Sequence, residues 1–268
     1  MSRILLIGNS HLAAFRTGWD MIRAANPDVS IDFFAQPGPE YYHMTLNRKL
    51  SQFGAINEAR FTLQQLERLD KFNGKRIVSL DGYDRIMVVG NQHGMADVLK
   101  LVAHRDVVGL RDTGSAHFLS RPAFDAVVDD IAASFMPHPA WEHFSATPVT
   151  FHAIPRPAET AFDKVDRDSN VGRTYAKIEA CADGIKTALD QLADVFTHHM
   201  DAIGLRFLQQ PQDTMNAIGF TNAPMNTELE SFTGHSMPAK DFQHMNASYG
   251  AACLCAAYPD ILPSRDAA

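Results

Sequence analysis

The 268-residue chain has few of the features that mark secreted, membrane-spanning or nucleic-acid-binding proteins. Its three cysteines, Cys181, Cys253 and Cys255, include no CxxC pair and cannot build a disulfide framework. No segment has the roughly 20 apolar residues that a membrane helix needs, and the N-terminal apolar run is too short for a signal peptide. We therefore expect a cytoplasmic protein with reduced thiols.

Charge and cofactor motifs are also sparse. The net charge is −7, and lysines and arginines stand at most in pairs, so neither nucleic acid nor a membrane surface is favoured as a partner. Gly8-Asn9-Ser10 lacks the spaced glycines of a dinucleotide fingerprint. The 12 histidines include no HExxH motif, and no Cys/His ligand spacing occurs. The sequence predicts neither a cofactor nor a bound metal.

Apolar residues are plentiful, at 46% of the chain, and they form short runs bounded by glycine, proline or polar residues. Such runs are typical of strands buried on both faces of a parallel sheet, and helical periodicity between them indicates strand–helix–strand units. The predicted strands are residues 4–7, 29–35, 84–90, 149–154 and 205–210. We therefore predict a single α/β domain over residues 1–268, a three-layer α/β/α sandwich with a mainly parallel central sheet of about five strands (flavodoxin-like). Residues 95–148 lose this regularity, although residues 121–135 carry a helical stripe, and are predicted to form an irregular insertion covering the site.

A serine directly follows the first predicted strand, and an acid–histidine pair stands near the C-terminus. A serine hydroxyl becomes an effective nucleophile beside a histidine base, which a carboxylate in turn orients. Asp241 and His244 are three residues apart, so one turn can present both side chains together. Because loops after parallel strands meet at one edge of the sheet, we expect Ser10, Gly38 and Asn91 to converge there with this pair.

Each of these residues also has an ordinary structural interpretation. A serine after a strand-ending glycine often caps a helix, and Asp-x-x-His often forms a surface pair. Asn91 is equally consistent with a turn residue and Gly38 with a loop glycine. A second group of residues, next to the predicted nucleophile and the predicted oxyanion residue, is expected to line the substrate pocket: Asn9, His11, Gln92 and His93.

In their order along the chain, these motifs resemble the SGNH (GDSL-type) hydrolase superfamily. Members carry a Gly-Asp-Ser block after the first strand, a glycine in a second block, a Gly-x-Asn block, and Asp-x-x-His near the C-terminus. The matching residues are Gly8-Asn9-Ser10, Gly38, Gly90-Asn91 and Asp241-Phe242-Gln243-His244. Two positions depart from the pattern, because Asn9 replaces the family's aspartate and Asn91 follows Gly90 directly. The second departure makes Gln92 an alternative to Asn91.

The resemblance implies a role for each matching residue. Ser10 would be the nucleophile, His244 the general base and acid, and Asp241 the residue that orients His244. The backbone N–H groups of Ser10 and Gly38, with the Asn91 side chain, would form the oxyanion hole.

The resemblance also implies an activity. The expected function is a serine esterase acting on a short-chain acyl ester, first of all an acetyl ester of a carbohydrate, without a cofactor. Two alternatives remain open at this point. One is an O-acyltransferase that uses the same triad, and the other is an inactive ligand-binding protein of the same fold.

Overall fold

A computed structural model of the chain describes residues 1–36, 38–144 and 146–262, and its centre is a five-stranded parallel sheet. The strands of the described residues are, in chain order, β1 (Ser2–Gly8), β2 (Val29–Ala35), β3 (Thr45–Asn47), β4 (Gln52–Gly54), β5 (Ile77–Ser79), β6 (Arg85–Asn91), β7 (Asp106–Val107), β8 (Phe118–Leu119), β9 (Val149–Ala153) and β10 (Arg206–Leu208). The central sheet has the order β10-β9-β6-β1-β2, and all its neighbouring strands are parallel. This is the 2-1-3-4-5 order of flavodoxin-like sheets.

Strand β1 shows why the sheet is buried on both faces. Ile4 and Leu6 belong to one hydrophobic cluster, whereas Leu5 and Ile7 belong to the other, and all four side chains are at most 1% exposed. Successive side chains of a strand point to opposite faces, so a continuous apolar run fills two cores at once.

The helices of the described residues are, in chain order, α1 (Leu12–Ile22), α2 (Leu63–Asn73), α3 (Met95–His104), α4 (Arg121–Ser134), α5 (Ala161–Lys164), α6 (Asn170–Ala180), α7 (Ile185–Ala202) and α8 (Ala247–Ala257). Helices α1 and α8 cover one face of the sheet. Helix α7 packs on the other face and contacts α3 and α4. The protein is therefore an α/β/α sandwich, as the sequence predicts. None of the described helices has the length and apolarity to cross a membrane.

The segment 95–148, predicted as an irregular insertion with a helical stripe at residues 121–135, contains a helix at that stripe and a second helix that the sequence does not predict. Helices α3 and α4 lie in this segment and belong to the layer around α7. Helix α3 has buried residues at helical spacing, including Met95, Val98, Leu99 and Val102. The helical period is present in the sequence, but the helix is only 10 residues long and its flanks are irregular. Small elements elsewhere are the antiparallel sheet β3-β4-β5 and the pair β7-β8.

Helices α1 and α8 cross at very short range because glycines stand at the crossing. A Cβ atom on Gly250 would lie 1.9 Å from the carbonyl oxygen of Ala14, and one on Gly18 would lie 2.4 Å from the backbone nitrogen of Ala251. No larger side chain fits at either position without moving a helix backbone. The crossing matters for function because Ser10 precedes α1 and His244 precedes α8, so it brings two distant parts of the chain together.

Candidate active site

The candidate site lies at the carboxyl edge of the central sheet, beside the two strands where the order of the sheet reverses. From β1 the chain adds β2 on one side, and β6 lies on the other side of β1. In open α/β sheets, ligands bind outside the carboxyl ends of the strands at this switch point. Ser10 follows β1, Gly38 follows β2, and Gln92 follows β6; all three line one cavity.

Three side chains from opposite ends of the chain form a continuous hydrogen-bonded line at this edge. The Ser10 Oγ atom lies 2.8 Å from His244 Nε2, and His244 Nδ1 lies 2.7 Å from Asp241 Oδ2. A carboxylate only accepts hydrogen bonds, so Nδ1 carries the proton of a neutral His244 and Nε2 is left to accept from the serine hydroxyl. This is the arrangement in which a histidine can remove a proton from a serine.

Asp241 is held in place by a local turn. Its Oδ1 atom accepts hydrogen bonds from the backbone N–H groups of Gln243 and His244, each at 2.9 Å. Burial alone would raise the pKa of Asp241, but the hydrogen bonds from the His244 side chain and backbone outweigh burial and lower the pKa to about 2. Asp241 is therefore ionised at neutral pH. Its position follows from the three-residue spacing seen in the sequence.

The geometry around Ser10 also shows whether its hydroxyl caps helix α1 or contacts His244. Helix α1 has His11 at its N-cap, with no side-chain hydrogen bond to the first turn. The Ser10 hydroxyl instead contacts His244. Ser10 is therefore not a capping residue in this structure, although its catalytic role stays a prediction.

Two polar side chains, Lys164 and Asn226, donate hydrogen bonds to the backbone of the Asp241–His244 turn. Lys164 Nζ donates to the Asp241 carbonyl oxygen at 2.8 Å, and Asn226 Nδ2 donates to the His244 carbonyl oxygen at 2.7 Å. Lys164 and Thr160 both donate to Asn226 Oδ1, which ties the two contacts together. These residues could not be predicted from the sequence, because nothing local distinguishes an asparagine or lysine that supports a turn 15 or more residues away.

Asn9 stands where the family pattern has aspartate, and both the nitrogen and the oxygen of its side-chain amide form hydrogen bonds. Nδ2 donates to the Gly90 carbonyl oxygen at 2.8 Å, and Oδ1 accepts from the His11 N–H at 3.1 Å. An aspartate could make only the second bond, because a carboxylate has no proton to donate. Gly90 has a φ of 85°, and a Cβ there would lie 2.1 Å from Asn9 Oδ1. The Asn9–Gly90 contact thus connects the serine loop to the end of β6.

The predicted oxyanion side chain is not on the cavity wall. Asn91 ends β6, and its Nδ2 donates to the carbonyl oxygen of Gln92 at 2.8 Å. Gln92, the alternative donor predicted from the sequence, lines the cavity. The reason is a register shift between Val89 and Asn91, centred on Gly90, which changes the direction of the side chains that follow. Asn91 is therefore replaced by Gln92 among the candidate donors.

Of the two histidines predicted to line the pocket, only His11 does so. The His11 ring stacks on the His244 ring, with centroids 4.6 Å apart and planes 21° apart. His93 is 5% exposed and packs against Phe196 and Phe207 beneath the site. The prediction of His93 as a pocket residue is corrected by this placement, since side-chain direction after the Gly90 shift is not readable from spacing.

Three histidines near the site have depressed pKa values. Burial, followed by the effect of His244, lowers the pKa of His11 to about 3. Burial is also the main reason that the pKa of His93 falls to about 3 and that of His152 to about 4. All three rings are therefore neutral at pH 7. Among the described residues, no group of three or more His, Cys, Asp or Glu side chains is arranged to hold a metal ion.

The lowered pKa values of these histidines predict that the free energy of unfolding begins to fall in acid well above the pH at which carboxylates titrate. The unfolded chain takes up protons near pH 6.5 and the folded protein does not until about pH 3 to 4. Stability is therefore complete above pH 6.5 and is lost as the pH falls through this window, by up to roughly 4 kcal/mol per pH unit if all three groups contribute. Urea unfolding between pH 7.5 and 5 measures the slope.

The matched variant for this prediction is His93→Phe, which keeps a ring against Phe196 and Phe207 and removes one titrating group. We expect its stability to fall about one third less steeply with acid than that of the wild type. A free energy of unfolding that is flat from pH 7 to pH 5 would contradict the neutral buried histidines.

Comparisons with known proteins do not identify a family for this chain. No family model matches it, and no curated protein matches it. One similar solved structure is the periplasmic domain of a lipopolysaccharide acetyltransferase from Salmonella ser. Paratyphi A, with 10% identity, a TM-score of 0.41, and coverage of 97% of this chain and 83% of that chain. Another is a DUF4886 family protein from Bacteroides uniformis, with 12% identity, a TM-score of 0.30, and coverage of 97% and 96%.

Proposed function

We propose that this protein is a serine-dependent carboxylic ester hydrolase that works through an acyl-enzyme. The observation that carries the proposal is the line Asp241–His244–Ser10, with distances of 2.7 Å and 2.8 Å, beside a cavity that Ser10 lines. A carboxylate, a histidine and a serine in such a line act together to activate the serine hydroxyl as a nucleophile.

In the first half of the reaction, Ser10 Oγ attacks the ester carbonyl carbon while its proton moves to His244 Nε2. The imidazolium keeps its Nδ1–H on Asp241, whose carboxylate stabilises the positive charge. The oxyanion forms beside Ser10, Gly38 and Gln92. We assign its stabilisation to the backbone N–H groups of the first two and the side-chain amide of Gln92. Each good donor of this kind lowers the barrier by about 3 kcal/mol.

In the second half, the carbon–oxygen bond to the alcohol breaks and His244 returns the proton to the leaving oxygen. A water molecule then attacks the acyl carbonyl carbon while His244 takes a proton from it. The bond between that carbon and Ser10 Oγ breaks, His244 returns the proton to Oγ, and the carboxylic acid leaves. The family resemblance implies an acetyl ester of a carbohydrate as substrate, so an acetyl ester is the reference substrate for assays. In the alternative acyltransferase reaction, a sugar hydroxyl takes the place of this water.

A fluorophosphonate probe tests the nucleophile without knowledge of the substrate. We expect covalent labelling of the wild type at Ser10, identified by peptide mapping, and none of Ser10→Ala. The matched control is Ser134→Ala on α4, an exposed serine that is not among the residues lining the cavity, which should label like the wild type. A folded wild-type protein that does not label would overturn the proposal in favour of a binding protein. For a labelled protein, comparing acid release with acyl transfer to added alcohols separates hydrolase from transferase.

A further inference from the structure

The cavity beside Ser10 is much larger than an acetyl group needs. Its volume is about 580 Å³. Cavities of roughly 300–1,000 Å³ bury ligands of drug size, whereas an acetyl group has two carbons. Four polar residues of the candidate site line this cavity, namely Asn9, Ser10, His11 and Gln92, and they account for only part of its wall.

The other residues that line the cavity are mostly apolar, and one of them, Phe242, belongs to the turn that carries Asp241 and His244. Phe242 lies between Asp241 and His244 in sequence, and its ring centroid is 5.5 Å from that of Tyr175 on α6. Helix α3 adds Met95 and Leu99 to the same wall. An acyl chain attached to Ser10 would therefore enter a cavity whose wall consists largely of aromatic and aliphatic side chains.

Two large side chains of the wall remain exposed to solvent. Tyr42 is 50% exposed and Val171 is 51% exposed, and both line the cavity. Apolar surface that faces water in a concave site gains stability when a ligand covers it. Their exposure thus points to an apolar ligand segment.

Charge argues against an anionic ligand in this cavity. Within the described lining, the charged side chains are Asp97 and Lys100, which lie one turn apart on α3 and have opposite signs. The wall therefore carries no net charge from acids and bases with which to select a phosphate or carboxylate.

We propose that this cavity binds the acyl chain of the ester, and that the preferred acyl group is an uncharged medium-length aliphatic chain such as octanoyl rather than acetyl. The inference rests on the proposed function, because the chain must be attached to a carbonyl carbon that Ser10 attacks. Phe242 and Tyr175 would contact the chain near the carbonyl, and Leu99 and Val171 would contact it further out.

Hydrolysis of p-nitrophenyl acetate, butyrate and octanoate, below the micellar concentration, tests the proposal. Each methylene that the cavity buries raises kcat/KM by up to about fourfold, so we expect octanoate to exceed acetate by at least about tenfold. Hydrolysis with acetate equal to or better than octanoate would overturn this inference and leave the esterase intact. Absence of both ester hydrolysis and fluorophosphonate labelling would overturn the proposed function, and this inference with it.

A pair of exposed valines supplies the matched control. Val171→Asp places a charge on the apolar wall, and Val108→Asp places the same charge at a residue that is 60% exposed and outside the cavity. We expect Val171→Asp to lower kcat/KM for octanoate by about tenfold and that for acetate by less than about twofold. Val108→Asp should change neither. An equal loss for both esters in Val171→Asp, or no loss for octanoate, would contradict acyl binding at this wall.

Discussion

Replacing Ser10 with alanine is expected to lower kcat for ester hydrolysis by about 10⁴-fold or more, and His244→Ala is expected to do the same. In the proposed mechanism the two groups act as a unit, because the hydroxyl is a weak nucleophile without the base and the base has no proton to take without the hydroxyl. The 2.8 Å contact between Ser10 Oγ and His244 Nε2 is the structural basis of this unit. The measurement is steady-state kinetics on a p-nitrophenyl ester, with unfolding curves to verify that each variant folds.

The double variant gives the sharper result. Once either group is gone, the other has nothing left to contribute, so we expect the double variant to lose little more activity than the worse single variant. A loss in kcat equal to the product of the two single losses would show that the two residues act independently. The proposed triad would then be wrong, even if each residue contributed to activity.

Asp241→Asn is the second large effect. We expect a loss in kcat of about 10³ to 10⁴-fold at neutral pH, although the side chain keeps its size. The asparagine oxygen can still accept the backbone N–H groups of Gln243 and His244, so the turn is preserved. Its amide nitrogen, however, presents a proton toward His244 Nδ1, which favours the tautomer with the hydrogen on Nε2. That tautomer cannot accept the Ser10 proton.

The chain offers a matched control for this substitution. Asp129 and His199, on α4 and α7, form a surface pair with an oxygen–nitrogen distance of 2.9 Å. Asp129→Asn removes a similar acid–histidine contact between residues that do not line the cavity, and it should leave kcat unchanged. Activity of Asp241→Asn within about tenfold of the wild type would show that this carboxylate does not fix the tautomer of His244.

Much of the fold could be predicted because it depends on local pattern. Ile4 to Ile7 form an apolar run that suits a strand with both faces buried, and the five predicted strands correspond to the five strands of the central sheet. Asp241 and His244 could be paired from their spacing, since one short turn brings both side chains together. Such features involve residues close in sequence, or depend on hydrophobic periodicity alone.

The errors and omissions share a different origin. Gly90 shifts the register of β6, so Gln92 lies on the cavity wall and Asn91 does not. His93 was predicted to line the pocket but packs among buried rings. Asn226 supports the histidine turn from a distant loop. In each case the direction of a side chain depends on a bulge or on packing between segments far apart in the chain, which no sequence period encodes.

The sequence by itself determined the kinds of groups available: a serine after the first strand, an acid and a histidine in one turn, and strands apolar enough to be buried. Only the tertiary structure decided that Ser10 and His244, 234 residues apart, meet at 2.8 Å. The physical reason is the close crossing of α1 and α8, where Gly18 and Gly250 let the backbones touch. The sequence does not show which helix each of these glycines will face, because that contact exists only when the two helices are packed together.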